Sequence, residues 1–269
     1  MLIALVVLLV LIVVYLLLLM PRTGHPGWDK LAAFRYAHRG LHDKENGIPE
    51  NSMTAFRRAV EHGYGAELDV HLLKDGSLAV FHDSTLKRIC GAEGKIEDLT
   101  AQKLGNYRLS GTEETIPLFT DVLALFEGKT PLIVELKVVD GNAAALTDAV
   151  MNLLKGWNGT YCIESFHPAV VKHLKDHYPN VIRGQLSENF FKTKSISLVN
   201  TFLMTFLLTT AFTRPDFIAY KHQDRANISL RLMRKLYGVH EVGWTIREQD
   251  IMEQLEKDGV TPIFENFIP

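Results

Sequence analysis

The chain has 269 residues, of which 47% are apolar and 22% are charged, with 29 Lys and Arg against 31 Asp and Glu. This composition is sufficient for a sizeable core; it excludes a disordered acidic or basic tail and argues against broad nucleic-acid binding. Two cysteines, Cys90 and Cys162, are too few for a disulfide framework or a Cys-rich zinc site. Any metal ion would therefore be bound by oxygen or histidine ligands.

Residues 1–20 are all apolar. As a helix they would extend about 30 Å, which matches the hydrocarbon core of a bilayer. A cleaved signal peptide normally has a basic start and a small-x-small cleavage site, whereas this segment has neither and runs directly into Pro21 and Arg22. We therefore predict one uncleaved transmembrane anchor, followed by a short Pro- and Gly-containing linker over residues 21–32.

The orientation of the predicted anchor depends on the basic residues beside it. None precedes the span, while Arg22, Lys30 and Arg35 follow it. By the positive-inside rule this distribution predicts a cytoplasmic body, although a body of this size is able to cross a membrane against such a bias.

From residue 33 onward, short β-rich runs alternate with amphipathic segments, which is typical of an α/β protein with a mainly parallel sheet. Helices are expected at residues 51–63, 119–128 and 167–179. The expected strands are 33–38, 66–72, 131–138, 160–165, 180–186, 216–220, 240–245 and 260–264. Eight strands in this length fit a (β/α)₈ TIM barrel over residues 33–269. An open doubly wound sheet would alternate similarly, but it usually has a Gly-rich phosphate-binding turn that this sequence lacks.

Polar residues cluster at the expected strand ends, where a barrel of this kind carries its catalytic groups. They are His38, Arg39, Glu67, Asp69, His71, His82, Asp83, Glu135 and Lys137. Because side chains alternate along a strand, Glu67 and Asp69 share one face. Burying carboxylates is costly without a cation, and Mg²⁺ or Ca²⁺, which prefer oxygen ligands, would remove that cost. The alternative is a structural ion network in which Arg39 and Lys137 neutralise the carboxylates.

The basic residues and two histidines favour a phosphate site. Arg39 and Lys137 beside a cation would form a positive pocket suited to a phosphoryl group. His38 and His82, at the ends of separate strands, would supply a general acid and a general base, because histidine titrates near neutrality. These residues together outline a phosphodiesterase site.

Six short motifs are spaced along the body of the chain. They are AHRG at 37–40, PENSMTAF at 49–56, AELDVHLLKDGSLAVFHD at 66–83, VELK at 134–137 and, more weakly, ESF at 164–166 and GWT at 243–245. In this order they resemble the motifs of the glycerophosphodiester phosphodiesterases, and the resemblance covers about residues 35–265. It implies a (β/α)₈ barrel with a small insertion after the HD motif, at about residues 83–117.

The resemblance also implies roles for individual residues. These are an acid/base pair, His38 and His82; metal ligands, Glu67, Asp69 and Glu135, for Mg²⁺ or Ca²⁺; and phosphate contacts, Arg39 and Lys137. Glu50 would lie at the site and orient a histidine or support the metal, unless it only stabilises the start of the following helix. Trp244 would stack on the bound alcohol or belong to the rim of the core.

The implied reaction begins with attack of the glycerol 2-hydroxyl on phosphorus, after which the alcohol leaves and water opens the cyclic phosphate. The products would be an alcohol and glycerol 3-phosphate. Two features depart from the family pattern. Residues 265–269 read Glu-Asn-Phe-Ile-Pro where the family commonly has Thr-Asp-x-Pro, which we expect to affect packing more than activity. His71 adds a titratable group on the metal-binding face.

Residues 195–213 form a second uncharged stretch in which a polar residue recurs every fourth position. As a helix it would have a narrow polar stripe, formed by Ser197, Thr201, Thr205, Thr209 and Thr213, and a broad apolar face. Two interpretations are open: a barrel helix packed on the sheet, or a lid near the barrel mouth that contacts the bilayer or a lipid chain.

Three functions follow from these features. The first is a membrane-anchored, metal-dependent phosphodiesterase that acts on water-soluble glycerophosphodiesters. The second is a lysophospholipase-D-like hydrolase whose lysolipid substrate contacts residues 195–213. The third is a catalytically idle, membrane-tethered barrel that binds phospholipid headgroups, for which loss of a histidine or metal carboxylate would be the signature; this sequence retains them all.

Overall fold

A ring of eight parallel strands forms the centre of the protein in a computed structural model that describes all 269 residues. The strands are β1 (Tyr36–His38), β2 (Gly65–Leu72), β3 (Leu78–Val80), β4 (Leu132–Leu136), β5 (Tyr161–Ser165), β6 (Arg183–Ser187), β7 (Phe217–Lys221), β8 (His240–Ile246) and β9 (Val260–Phe264). The ring closes because β1 pairs in parallel with both β2 and β9. Only β3 lies outside it, antiparallel to β2. The predicted TIM barrel is confirmed.

Helices connect the strands and cover the outside of the ring. They are α1 (Leu2–Leu19), α2 (Trp28–Ala32), α3 (Met53–Glu61), α4 (Lys87–Cys90), α5 (Ala101–Leu104), α6 (Phe119–Phe126), α7 (Ala143–Leu154), α8 (Pro168–His177), α9 (Phe190–Thr193), α10 (Leu198–Thr205), α11 (Thr210–Thr213), α12 (Ile228–Leu232) and α13 (Gln249–Lys257). The three helices expected from periodicity correspond to α3, α6 and α8.

Alternation along β2 separates the core from the site. Leu68 and Val70 point outward and are buried with Phe56 of α3 and Phe126 of α6 in the largest apolar cluster. Glu67, Asp69 and His71, which alternate with them along the strand, point into the ring and are polar. Apolar burial therefore fixes the register of β2, and the register places its carboxylates inside the barrel.

The amino-terminal end of the barrel is closed by residues just before β1. Trp28 and Leu31 of α2 pack against Tyr36 and Phe217, the first residues of β1 and β7. Arg22 pairs with Asp216 immediately before β7. Residues 21–32, which we predicted to be a linker, thus connect α1 to the barrel but are packed against it rather than free.

The insertion predicted at 83–117 contains α4, α5 and a short 3₁₀ turn at Ile96–Asp98. It has its own apolar cluster, which includes Leu86, Ile89 and Leu104 and is distinct from the barrel core. It lies between β3 and α6, next to the carboxyl end of β2.

Residues 195–213 do not form the single helix that their periodicity predicted. The segment is divided into α10 and α11, because Leu207 has a φ of 56° and interrupts the helical path. The threonines at 201, 205, 209 and 213 are buried, whereas Leu198, Phe202 and Phe212 are exposed. Hydrogen bonds from Ser187 and Tyr220 to the carbonyl groups of Met204 and Thr205, and from the Phe190 amide to Thr205 Oγ1, hold the threonine side of α10 against the barrel.

Helix α1 is long and apolar enough to cross a membrane, with a mean hydropathy of 3.6 and only 6% of its span buried. Its last turns contact α11 and α12, and Leu19 is fully buried. An exposed apolar helix near the amino terminus is consistent with an anchor or a signal sequence.

Candidate active site

Carboxylates from three adjacent strands lie in one row at the carboxyl-terminal mouth of the barrel. Asp69 of β2 is in register with Glu135 of β4, and Glu135 is in register with Glu164 of β5. Glu67 lies two residues before Asp69 on the same face. Parallel pairing therefore brings four acidic side chains together, and all four are buried.

Three of these carboxylates form a group able to hold a metal ion. One oxygen from each of Glu67, Asp69 and Glu135 lies within 4.8 Å of the others. Burial raises the pKa of Glu67 well above its usual range, and the neighbouring Asp69 and Glu135 raise it further. Burial also raises the pKa of Glu135, against the opposing charge of Lys137. A cation bound here would relieve both the desolvation and the repulsion.

Two half-buried basic residues, Lys137 and Arg39, partly compensate this charge. Lys137 Nζ lies 2.9 Å from Asp69 Oδ1 and 2.7 Å from Glu135 Oε1. Arg39 Nε lies 3.5 Å from Asp69, and its Nη1 donates to Glu50 Oε1 at 2.7 Å. Burial opposes the ionisation of Asp69, but Lys137, His82 and Arg39 hold its pKa well below the usual range.

The donor set fits a hard divalent cation. Four carboxylates face two basic side chains, so ionisation of all four would leave excess negative charge before any histidine is counted. Glu164 Oε2 is buried without a hydrogen-bond partner, and burial together with Glu135 raises the pKa of Glu164 well above its usual range. Mg²⁺ and Ca²⁺ both prefer such all-oxygen ligands. An ion network limited to Arg39 and Lys137 leaves this charge uncompensated.

His38 lies at the end of β1, and its ring is held by a carboxylate from the far end of the chain. Nδ1 is 2.5 Å from Glu265 Oε2, and Nε2 is 3.9 Å from Glu67 Oε2. Burial lowers the pKa of His38, and Glu265 partly opposes this. The turn that follows requires Gly40, because its φ is 78° and a Cβ there would lie 2.9 Å from Ala55.

His82 follows β3, the short strand that pairs antiparallel with β2. Its Nδ1 lies 2.6 Å from Asp83 Oδ1, which leaves Nε2 for the site. Burial lowers the pKa of His82 to about 4, although Asp69 opposes the shift. Both histidines at the mouth are thus oriented by a carboxylate, as a proton-transferring histidine requires.

Glu50 does not cap helix α3. That role belongs to Ser52, whose Oγ accepts from the Ala55 amide at 3.1 Å. Glu50 instead bridges Arg39 and Arg88, with Arg88 Nη1 at 2.8 Å from Oε2. Burial opposes its ionisation, but these two guanidinium groups lower the pKa of Glu50 to about 2.

Trp244 and His71 have different surroundings. Trp244 of β8 lines the mouth and packs edge-to-face on Phe166, with 5.6 Å between the ring centroids. Its Nε1 has no hydrogen-bond partner. His71 is buried and its Nδ1 lies 2.7 Å from Glu97 of the insertion. His71 thus ties the insertion to β2 and is not among the three residues of the acidic group.

Two adjacent cavities open at the mouth. A polar cavity of about 290 Å³ is lined by both histidines, by Arg39 and Lys137, and by three of the four carboxylates, Glu67, Glu135 and Glu164. A cavity of about 580 Å³ shares His82, Glu135 and Lys137 with it and continues along apolar residues. These residues are Phe190, Ile196, Leu203, Met204 and Phe212.

Two residues of the mouth received no role from sequence reasoning. Glu164 lies in the ESF motif, and its alternation with Cys162 in β5 was the available signal. Glu265 begins the carboxyl-terminal segment, residues 265–269, that we expect to affect packing more than activity, but it is not peripheral in the structure. It directly follows β9 at the mouth, where it contacts His38, His42 and Arg247.

A sequence model of the glycerophosphoryl diester phosphodiesterase family matches residues 38–269. The chain belongs to this family. A glycerophosphodiester phosphodiesterase of Caldanaerobacter subterraneus is 29% identical over 242 residues, which cover 84% of this chain and 91% of that protein. A human lysophospholipase D is 34% identical over 122 residues, covering 40% and 38% of the two chains. The chain is thus a phosphoric diester hydrolase.

Solved structures show the same fold. An Oleispira antarctica phosphodiesterase in complex with its product sn-glycerol-3-phosphate has a TM-score of 0.71 at 20% identity and covers 91% of this chain and 95% of its own. A glycerophosphodiester phosphodiesterase from Thermotoga maritima has a TM-score of 0.65 at 23% identity, with coverages of 86% and 93%.

Proposed function

We propose that this enzyme hydrolyses glycerophosphodiesters to an alcohol and glycerol 3-phosphate, with His38 and His82 as its acid/base pair. The observation that carries this proposal is that two carboxylate-oriented histidines face one buried acidic group, Glu67, Asp69 and Glu135, at the same mouth. The bound product of the Oleispira relative supports the assignment of glycerol 3-phosphate.

Glu67, Asp69 and Glu135 would hold a divalent cation, Mg²⁺ or Ca²⁺. Their fit rests on the all-oxygen donor set and on the uncompensated charge of the row. When bound, such a cation neutralises charge on phosphoryl oxygens and acidifies a coordinated hydroxyl group.

Arg39 and Lys137 would bind the phosphoryl oxygens from the two sides of the acidic row. Both are already held in place by carboxylates, Arg39 by Glu50 and Lys137 by Asp69 and Glu135. Cations held rigidly in a buried site stabilise developing charge without reorganisation. Glu50 therefore serves to position Arg39, and Trp244 offers its ring face to the glycerol or the alcohol.

His38 and His82 would move protons at Nε2, because Nδ1 of each ring faces a carboxylate. Burial lowers the pKa of both rings. One neutral ring therefore accepts the proton of the glycerol 2-hydroxyl as its oxygen attacks phosphorus. The other ring must enter the step protonated, and it gives its proton to the alcohol oxygen as the bond from that oxygen to phosphorus breaks. Water then attacks the cyclic phosphate, the bond from phosphorus to the 2-oxygen breaks and that oxygen regains a proton, which yields glycerol 3-phosphate.

The experiment is release of glycerol 3-phosphate from glycerophosphocholine, glycerophosphoethanolamine and glycerophosphoglycerol by the full chain in detergent, stripped with EDTA and then supplied with Mg²⁺ or Ca²⁺. We expect turnover only after metal addition, and a loss of at least ~10²-fold in His38→Ala and Glu67→Ala. His173→Ala is the matched control, since His173 pairs with Asp148 on the surface. Near-normal activity in either site variant would refute the assignment.

A second candidate function is lysophospholipase-D-like hydrolysis of lysolipids. It is favoured by the apolar cavity of about 580 Å³, which shares His82, Glu135 and Lys137 with the polar cavity and has room for an acyl chain. Turnover of lysolipid vesicles, with no turnover of any soluble diester, would favour this function over the first. An idle barrel is not supported, because the chain belongs to an enzyme family and retains the whole constellation.

We also propose that α1 is an uncleaved anchor that leaves the barrel in the cytoplasm. Its exposed apolar surface and the basic residues that follow it support this assignment. Protease protection of the barrel in inverted but not right-side-out membrane vesicles would contradict the orientation. Recovery of the barrel in a salt-washed soluble fraction would contradict the anchor.

A further inference from the structure

Helix α1 is attached to the barrel by its carboxyl-terminal turns, and these contacts fix the position of that end. Arg214, just before β7, donates to the carbonyl oxygens of Leu17 and Met20. The Arg22 amide donates to the Pro215 carbonyl at 3.0 Å. The carboxyl-terminal end of α1 therefore lies at the amino ends of the strands, opposite the mouth.

A second contact gives the direction of α1. The Tyr15 hydroxyl lies 2.7 Å from Ser229 Oγ. Ser229 belongs to the start of α12, which follows the carboxyl end of β7 and leads back toward the amino end of β8. Helix α1 thus runs from the side of the mouth to the side of the floor. Residues 2–14, all exposed, leave the barrel on the side of the mouth.

An unusual surface lies at this same mouth, in the connection that follows the carboxyl end of β6. Leu198, Val199 and Phe202 of α10 are 76%, 69% and 51% exposed. The threonines of α10 face inward, and Thr205 Oγ1 accepts from the Phe190 amide at 3.1 Å. A helix of a water-soluble domain normally buries its apolar face and exposes its polar one. This surface, completed by Phe191 of α9, is called the mouth patch below.

The geometry points to a lipid bilayer as the occupant of the mouth patch: we propose that the barrel mouth faces the membrane into which α1 inserts, with the patch in its interfacial layer. The direction that these hydrogen bonds give α1 puts its free part on the same side of the barrel as the patch. An exposed apolar helix face is able to enter the interfacial layer of a bilayer, and Lys194 beside it adds one basic group near the lipid headgroups. The proposal rests on the anchoring role of α1 and is independent of the reaction.

This orientation has a consequence for substrate entry. Leu203 lines both the large cavity and the groove beside the mouth patch. A molecule in the leaflet that the mouth faces would therefore reach His82 along apolar side chains without crossing bulk water.

The test uses the full chain with a Cys90→Ser background in phosphatidylcholine vesicles that contain a doxyl-labelled lipid. Cys162 is buried and stays unlabelled. A fluorophore is attached in separate variants at Phe202→Cys in the patch, Leu9→Cys in α1, and Leu153→Cys. Leu153 is the matched control, because it is an exposed apolar residue near the end of α7, which leads to the amino end of β5.

We expect strong lipid quenching at positions 9 and 202 and little at position 153. Quenching at 202 as weak as at 153 would overturn the proposal, and so would the absence of quenching at position 9. A probe at 202 that is shielded without lipid quenching, in a chain that sediments as a dimer, would overturn it in favour of a second copy. Val199→Cys repeats the measurement if the Phe202 variant does not fold.

Discussion

His38 depends on a residue that lies more than two hundred positions away in the chain. Its Nδ1 contacts Glu265, which is itself paired with Arg247 and lies 3.6 Å from His42. Burial alone would lower the pKa of His38 further, and the carboxylate opposes that shift. Glu265 is thus a positioning residue for the proposed acid/base pair.

Replacing Glu265 with Gln keeps the shape but removes the charge. We expect kcat/KM to fall about 10-fold to 100-fold, less than the ~10²–10⁴-fold that loss of an acid–base catalyst costs. The limb of the pH profile that His38 sets should move to lower pH, because its pKa falls. The measurement is the pH dependence of kcat/KM. Asp148→Asn, which breaks the surface pair with His173, should leave the profile unchanged; an unchanged profile in the Glu265 variant would contradict the positioning role.

Glu50 makes stability depend on pH. Its pKa is about 2 in the folded protein, below the ordinary value of 4.5, because Arg88 and Arg39 outweigh the cost of burial. A depressed carboxyl pKa stabilises the fold above the ordinary value, and this contribution is lost as the pH falls from about 4.5 to about 2.

Glu50→Gln should therefore lower the Tm at pH 7 and reduce its acid dependence, so that the gap from wild type closes on acidification. We expect a loss of about 1–3 kcal/mol at pH 7 from the unpaired guanidinium groups. Thermal unfolding between pH 7 and 3 measures this. A gap that stays constant over that range would show that the ion pairs contribute nothing to the pH dependence.

At the scale of elements, the connection between β6 and β7 distinguishes this barrel from a plain (β/α)₈ ring. A single covering helix is replaced by α9, α10 and α11, whose inner face is tied to the barrel by hydrogen bonds from Ser187 and Tyr220. Its apolar side chains are left to form the wall of the large cavity and the mouth patch. Substrate class is therefore expected to depend on this connection rather than on the catalytic row.

Leu203→Trp should narrow the apolar cavity while leaving the polar cavity intact, since Leu203 lines only the former. We expect kcat/KM toward a lysolipid to fall at least about 10-fold, comparable to the one-methylene discrimination of apolar pockets. Turnover of glycerophosphocholine should remain within a few-fold. Leu153→Trp, on the surface of α7, is the control. Equal losses on both substrates would indicate a general disturbance of the mouth rather than a chain-binding site.

At the scale of the whole molecule, the acidic row lies where three neighbouring strands of the barrel meet. A cation that binds the folded row but not the unfolded chain stabilises the entire fold by mass action. Folding and metal binding are therefore coupled through Glu67, Asp69 and Glu135.

Adding Mg²⁺ or Ca²⁺ to the EDTA-stripped chain should raise its Tm. Saturation at a hundred times the Kd corresponds to about 2.7 kcal/mol. Glu67→Gln should abolish this response, whereas Glu113→Gln, a change at a fully exposed carboxylate of the insertion, should preserve it. Calorimetry with and without the cation measures both. A cation-induced shift that persists in Glu67→Gln would place the binding site elsewhere.

The sequence alone was sufficient to predict the barrel, because local hydrophobic periodicity encodes the order of its strands and helices. It also indicated most of the candidate site. Residues such as Glu67 and Asp69, or Glu135 and Lys137, share a strand face, and parallel strands bring their carboxyl ends to one mouth. The length and hydropathy of residues 1–20 likewise predict a membrane helix without any knowledge of the fold.

Tertiary structure decided whatever depends on contacts between distant segments. Only the closure of β1 on β9 brings Glu265 to His38, and only the packing of Arg39 and Arg88 on Glu50 takes that carboxylate away from the start of α3. The same holds for residues 195–213. Their period of four predicts one helix, but the positive φ of Leu207 divides it, and the carbonyl groups of Met204 and Thr205 accept hydrogen bonds from Ser187 and Tyr220 of the neighbouring strands. The threonine side is buried and the apolar side is exposed. Local pattern determines which elements form, whereas long-range packing and polar satisfaction determine which face each element presents.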